Sequence, residues 1–347
     1  MSFGEQPSDG RLVYALDFDG VLCDSVDESS RSAYRAALLA FPERLKGPRW
    51  TGRRLDADAD PPPAPSDAKA ATTSSSEDAA AAGRSSSTET ATRRVGQLPI
   101  ASWLLQVQPP QWMLNAMRKL RPVIETGYEN VLLVRLLAEE HMAAERSERG
   151  MRPLTVGEIA ANWQSLLHDK LLRDWGLDAT DVAELFARVR DDWIERDLSS
   201  WVQSSPLYPG VADALNLSQE TVYVVTTKNE RFVRLLLEHG GVRPERIPPE
   251  RIYGLDRRMS KIGVLKEILR REEAPREEGA ASARRVTVHF VEDRVETLES
   301  ASLSLLGAPI QYYMAMWGYH DASQQARAER HPFIHLLDLP TFTMKLR

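Results

Sequence analysis

Arg11-Leu-Val-Tyr-Ala-Leu-Asp17-Phe-Asp19-Gly20-Val21 is the stretch that decides the fold. An apolar run leads into two acids and a glycine, the pattern of a buried parallel strand that opens into a functional loop. Side chains alternate along a strand, so Asp17 and Asp19 fall on the same side. Carboxylates that close repel unless a cation or a proton intervenes. The arrangement suits one carboxylate as nucleophile and the other as general acid and base. Taken alone the motif is weak, because average composition yields Asp-x-Asp-Gly by chance in about one chain in ten of this length. An Asp-Gly turn with solvated acids explains it equally well.

Moving outward, the same grammar recurs three times. Thr221 to Thr226 (Thr-Val-Tyr-Val-Val-Thr) precedes a helix that Asn229 can cap, with Phe232, Leu235 and Leu236 on one face and Gly240-Gly241 as its stop. Val286 to Val291 runs into Glu292-Asp293, and Ile310 to Met316 reads as the last apolar strand. Strands alternating with helices predict an α/β fold with a parallel sheet, and such sheets bind ligands at the carboxyl ends of their strands.

Residues 26 to 205 read differently, with helical periodicity and no convincing strand. Val182, Leu185, Phe186, Val189, Trp193 and Ile194 follow helical spacing behind Asp178 as a cap, and Thr155 to Glu158 has capping-box spacing. The expected division is a core from 1–25 and 205–347, with 26–204 as an inserted helical cap. Within it, 53–97 is Ala, Ser, Thr, Asp and Pro with almost no large apolar residue, so a disordered low-complexity insertion is expected there. Residues 271–285 read as a shorter charged linker. Tyr208-Pro209-Gly210 has the residues of a type II turn returning to the core.

Composition narrows the class of function. The 347 residues exceed the usual single domain and contain 42% hydrophobic residues, enough for a sizeable core. Lys and Arg number 44 against 50 Asp and Glu, so no basic field is present to hold nucleic acid nonspecifically. Cys23 is the only cysteine, which excludes an intrachain disulfide and a cysteine zinc site and fits a small buried thiol. No apolar run approaches the roughly 20 residues that span a bilayer. The first strand starts close to Met1, so a cytoplasmic protein without a leader is expected.

Three further elements strengthen the Asp17 motif. Thr226 ends the second strand, where its hydroxyl could bind a phosphoryl oxygen. Lys261 opens an amphipathic helix behind Ser260, and Glu292-Asp293 ends a buried strand where adjacent acids are uncommon without a cation. Each also has an ordinary explanation as a strand-end threonine, a solvated lysine or a polar strand end. Their chain order, acid, hydroxyl, lysine, acid, is what sets them apart.

In that order the chain resembles the haloacid dehalogenase superfamily. The four motifs are Asp17-Phe-Asp-Gly-Val-Leu-Cys-Asp-Ser25, Val224-Val-Thr226-Thr-Lys, Lys261, and Phe290-Val-Glu-Asp293-Arg. The resemblance implies a Rossmann-like core and Asp17 attacking phosphorus to form an aspartyl-phosphate, with Asp19 as proton shuttle. It implies that Thr226 and Lys261 hold the phosphoryl group. Mg²⁺ is expected on Asp17, Asp293 and the main-chain carbonyl of Asp19, with Glu292 a further candidate ligand in the place of a common Gly. Gly20, Thr227 and Lys228 are expected to contact the substrate. Dehalogenases of the family lack the second acid of the first motif, so Asp19 argues for phosphate chemistry.

An insert after the first motif resembles the cap that closes over the site in one subgroup, where a lid excludes water and supplies substrate contacts. Arg121 and Glu125 flank a Pro- and Gly-containing turn in it and are candidate substrate contacts, against the plainer reading of punctuation between helices. With Trp317-Gly-Tyr-His320, this turn resembles an uncharacterised plant, algal and cyanobacterial branch. The expected function is a Mg²⁺-dependent phosphatase for a small phosphorylated metabolite. Alternatives are a phosphomutase, which shares these core residues, and a regulatory protein on a retired phosphatase scaffold.

Overall fold

The structure, a computed structural model, describes residues 11–45, 94–146, 152–273 and 286–346. Its frame is a six-stranded parallel sheet in the order β3-β2-β1-β4-β5-β6. The strands are β1 (Arg11–Leu16), β2 (Thr221–Val225), β3 (Ile252–Tyr253), β4 (Val286–Glu292), β5 (Ile310–Ala315) and β6 (Ile334–Leu337). β1 sits centrally because its apolar run is buried on both faces: Leu12, Tyr14 and Leu16 join one apolar cluster while Val13 and Ala15 join another. Chain direction through the sheet reverses at β1, since β2 lies on one side of it and β4 on the other. A crevice forms at such a switch point, at the carboxyl ends of the strands.

A third apolar cluster takes its buried residues from 33–189 and is built by the helices of the insert. The helix Ala179–Gln203 links the layers. Val182, Leu185, Phe186 and Val189 pack among the insert's helices, whereas Trp193 and Trp201 pack on the sheet side, and the helix kinks at Asp197. Local signals read from sequence hold here. Asp178 accepts from the Thr180 and Asp181 amides, Thr155 and Glu158 form a complete capping box, and Gly210 has φ +79° with the Val211 amide bonded to Tyr208 O at 3.1 Å. Asn229 stands at an N-cap position, but its side chain bonds Asp256 instead.

Three expectations need correction. Ile310–Ala315 is not the last strand, because β6 follows it at the sheet edge, where His335 and Leu336 are both exposed and the alternation that marks a strand is lost. β3 escaped notice through its length of two residues. The low-complexity insertion cannot extend to residue 97, because Val95 is fully buried and Asp181 accepts hydrogen bonds from the Val95 and Gly96 amides. Residues 53–93 of that assignment lie outside the described residues. Likewise 271–273 belong to the helix Lys261–Glu273 rather than to a linker, while 274–285 lie outside the description. No helix among the described residues is long and apolar enough to cross a membrane.

Candidate active site

Strand register brings the site together. Leu16 pairs with Val224 on one side and Val291 on the other, and the Asp17 amide donates to Val291 O at 2.9 Å. Asp17, Thr226 and Asp293, each the residue after its strand, and Glu292 at the end of β4 therefore emerge at one level. Carboxylate oxygens of Asp17, Glu292 and Asp293 lie within 4.8 Å of one another, and all three residues are buried. Burial, reinforced by the charge of Asp17, raises the pKa of Glu292 and Asp293 above the ordinary carboxylate range.

Lys261 answers part of this charge. Ser260 Oγ accepts from the Gly263 amide and starts the helix that carries it. Its ammonium lies 2.5 Å from Glu292 Oε2 and 3.1 Å from Asp17 Oδ1. Burial opposes that charge, but the two carboxylates outweigh burial and raise its pKa. An all-carboxylate, buried and crowded donor set fits a hard divalent cation such as Mg²⁺. Glu292 holds the shorter of the two contacts with Lys261, which leaves Asp17 and Asp293 the more open pair.

Asp19 turns to a different partner. Its Oδ1 accepts from Lys228 Nζ at 3.0 Å, and its side chain stands outside the three-acid cluster. Burial would raise its pKa, yet the charges of Lys228 and Arg121 prevail and hold it at about 2. Behind Lys228, at 3.9 Å, lies Glu28, which is fully buried and grips Arg190 through two contacts of 2.7 and 2.8 Å. Sequence reading missed Glu28 and Arg190. Each reads as an exposed polar residue of a helix, and only the packing of two helices 162 positions apart reveals the pair.

Gly20 is held tightly behind the acids. Its φ is +86°, and a Cβ there would stand 2.0 Å from Asp293 Oδ2. Tyr319, in the Trp317-Gly-Tyr-His320 segment, is another residue whose part went unassigned. Its amide donates to Asp293 Oδ2 at 2.8 Å, its hydroxyl donates to Asp24 Oδ1 at 2.8 Å, and Arg121 lies 4.3 Å above its ring.

Thr226, Lys261, Asp17 and Asp293 line a cavity of about 330 Å³, joined on the insert's side by Arg121 and Glu125. Thr226 Oγ1 accepts from the Lys228 amide at 3.2 Å, which leaves its proton available. Thr227 Oγ1 donates to Glu125 O at 3.1 Å, and Arg294 lies 3.5 Å from the Glu125 carboxylate. The turn that carries Arg121 and Glu125 is fixed by buried Glu129, which accepts from the Glu125 and Thr126 amides and from Trp163 Nε1. Arg121 itself donates to Ile124 O. Of the residues singled out in the sequence, Asp17, Asp19, Arg121, Glu125, Thr226, Thr227, Lys261 and Asp293 line this cavity, whereas Gly20 and Glu292 stand behind it and Lys228 lines the neighbouring cavity. Cys23 is buried, bonded to Ser205 O, with its thiol pushed up by burial.

No protein-family model and no curated protein matches this chain. Among solved structures, similar ones include a predicted phosphoglycolate phosphatase from Haemophilus somnus, at 14% identity over 98% of this chain and 99% of that one, with a TM-score of 0.45. A predicted phosphatase from Clostridium acetobutylicum is 11% identical over 98% and 99%, with a TM-score of 0.43. A haloacid dehalogenase-like family hydrolase from Streptococcus pneumoniae is 13% identical over 98% of each chain, with a TM-score of 0.41. Likeness at this level is loose, and the chemistry has to be read from the side chains.

Proposed function

We propose that this chain is a Mg²⁺-dependent phosphomonoester hydrolase of the haloacid dehalogenase type, with Asp17 as nucleophile. The observation that carries the reading is the grouping of Asp17, Glu292 and Asp293 within 4.8 Å on the wall of a cavity that Thr226 and Lys261 share. Four acids around an anionic substrate require cationic compensation, and phosphoryl transfer needs mainly alignment and charge stabilisation. Mg²⁺, held by Asp17 and Asp293 with the Asp19 carbonyl and Glu292 at hand, would neutralise phosphoryl charge.

An Asp17 oxygen attacks phosphorus as the bond to the ester oxygen breaks, and Asp19 supplies the proton that the departing alcohol needs. Water then attacks the aspartyl-phosphate while Asp19 takes its proton, which releases inorganic phosphate and restores Asp17. Lys261 holds the phosphoryl charge opposite Glu292, and the Thr226 hydroxyl donates to a phosphoryl oxygen. In the resting site Lys228 keeps Asp19 ionised, the form that accepts a proton from water. A dianion arriving beside Asp19 competes for Lys228 and favours the protonated form that serves the leaving group.

An aryl phosphate assayed with and without Mg²⁺ tests this reading. Hydrolysis should require Mg²⁺, vanish in chelator and return when Mg²⁺ is added back. Turnover that persists in chelator removes the charge argument and the proposal with it.

A further inference from the structure

The cavity floored by Asp17 and Lys261 adjoins a second one of about 310 Å³ on the side of the helical layer. Asp19, Arg121, Glu125 and Thr227 line both. Asp19 therefore stands at the passage between them. A proton donor to the ester oxygen belongs at that place, with the phosphoryl group on one side and the alcohol on the other.

Charge in the second cavity is closed in pairs. Arg190 forks onto Glu28, and Lys228 lies 3.0 Å from Asp19. Arg121 faces the core, stacked on Tyr319 among the core acids. The other charge on this wall is Glu125, a carboxylate, and its partner Arg294 lines the first cavity only. The rest of the wall is uncharged. Asn130, Thr180 and Tyr128 line it beside Phe186 and Leu255, with Asn130 Nδ2 donating to Gly127 O and the Tyr128 hydroxyl bonded to His168 Nε2. A carboxylate entering here would meet Glu125 and find Arg190 and Lys228 already held by Glu28 and Asp19, and like charges brought together disfavour binding strongly.

We infer that the second cavity receives the alcohol part of the substrate, and that this alcohol is an uncharged, hydroxylated group of polyol or sugar type rather than one that bears a carboxylate. The inference rests on the phosphohydrolase reading of the core, and its test separates the two. Glycerol 3-phosphate and 3-phosphoglycerate share a skeleton and differ in a hydroxymethyl against a carboxylate, so each is titrated as a competitor of aryl-phosphate hydrolysis in Mg²⁺. Absence of any aryl-phosphate turnover condemns the core reading itself.

With turnover present, 3-phosphoglycerate should compete at least about tenfold more weakly than glycerol 3-phosphate. Equal or tighter competition by 3-phosphoglycerate overturns the inference, as does failure of both compounds to compete. Thr180→Lys, at an exposed position on the cavity wall, supplies a cation without disturbing the core. It should narrow the gap between the two competitors by about threefold. A gap that does not narrow shows that the alcohol lies elsewhere.

Discussion

The carboxyl end of the sheet and the helical layer above it treat buried charge in opposite ways. At the sheet, Asp17, Glu292 and Asp293 crowd one another, and Lys261 answers only part of their charge. In the layer, Glu28 meets Arg190 in a closed fork, and Glu129 satisfies two amides and an indole. Unbalanced carboxylates cost stability and persist where a substrate or cation completes them. Closed pairs hold a shape. Under the proposed function, the chemistry belongs to the sheet, and the layer supplies part of the walls of the cleft.

The largest effect should come from the unbalanced side. Asp17→Asn and Asp19→Asn should each lower kcat by orders of magnitude, since the first loses the nucleophile and the second the proton carrier. An active Asp17→Asn enzyme, with deamidation excluded, breaks the comparison at its root. Asp293→Ala should come next. It should raise the Mg²⁺ concentration required or abolish the response, which a Mg²⁺ titration of turnover reads directly.

On the closed side the expected losses are of stability. Glu28→Ala leaves the Arg190 guanidinium buried without its partner, and breaking a buried pair in this way typically costs about 3–5 kcal/mol. Chemical denaturation would measure it, and an unchanged midpoint would show that the fork holds no structure together. Arg121→Ala should be milder. Loss of a charged hydrogen bond is typically about 1.5–3 kcal/mol, so kcat/KM should fall by about tenfold or more. Because Arg121 stacks on Tyr319 among the core acids, aryl and alkyl phosphates should suffer alike. Glu125→Gln should matter least, within about threefold, because its ion pair with Arg294 is long and its side chain is largely exposed.

The two regions also differed in how much of them could be read in advance. Four strands and the motifs at their ends were legible because a doubly buried strand writes itself as an apolar run and its active loop as acids and glycine. Thr226 and Asp293 could be placed because parallel register carries strand ends to the same level, and Lys261 because Ser260 marks the start of the helix that it opens. β3 and β6 were not, being too short or too exposed at the edge to carry a pattern. In the layer, caps such as Asp178 and Thr155 were legible since capping is local. Glu28 was hidden because its partner is distant in sequence, and Tyr319 because its stacking with Arg121 joins parts of the chain far apart.

Trapping the covalent intermediate tests the central claim most directly. The protein is mixed with an aryl phosphate and Mg²⁺, quenched in acid during turnover and digested for peptide mass mapping. The account predicts a single phosphoryl increment on the peptide that contains Asp17, Mg²⁺-dependent and absent from Asp17→Asn. A phosphoryl group on another residue, or robust turnover with none trapped at Asp17 under any quench time, would contradict it.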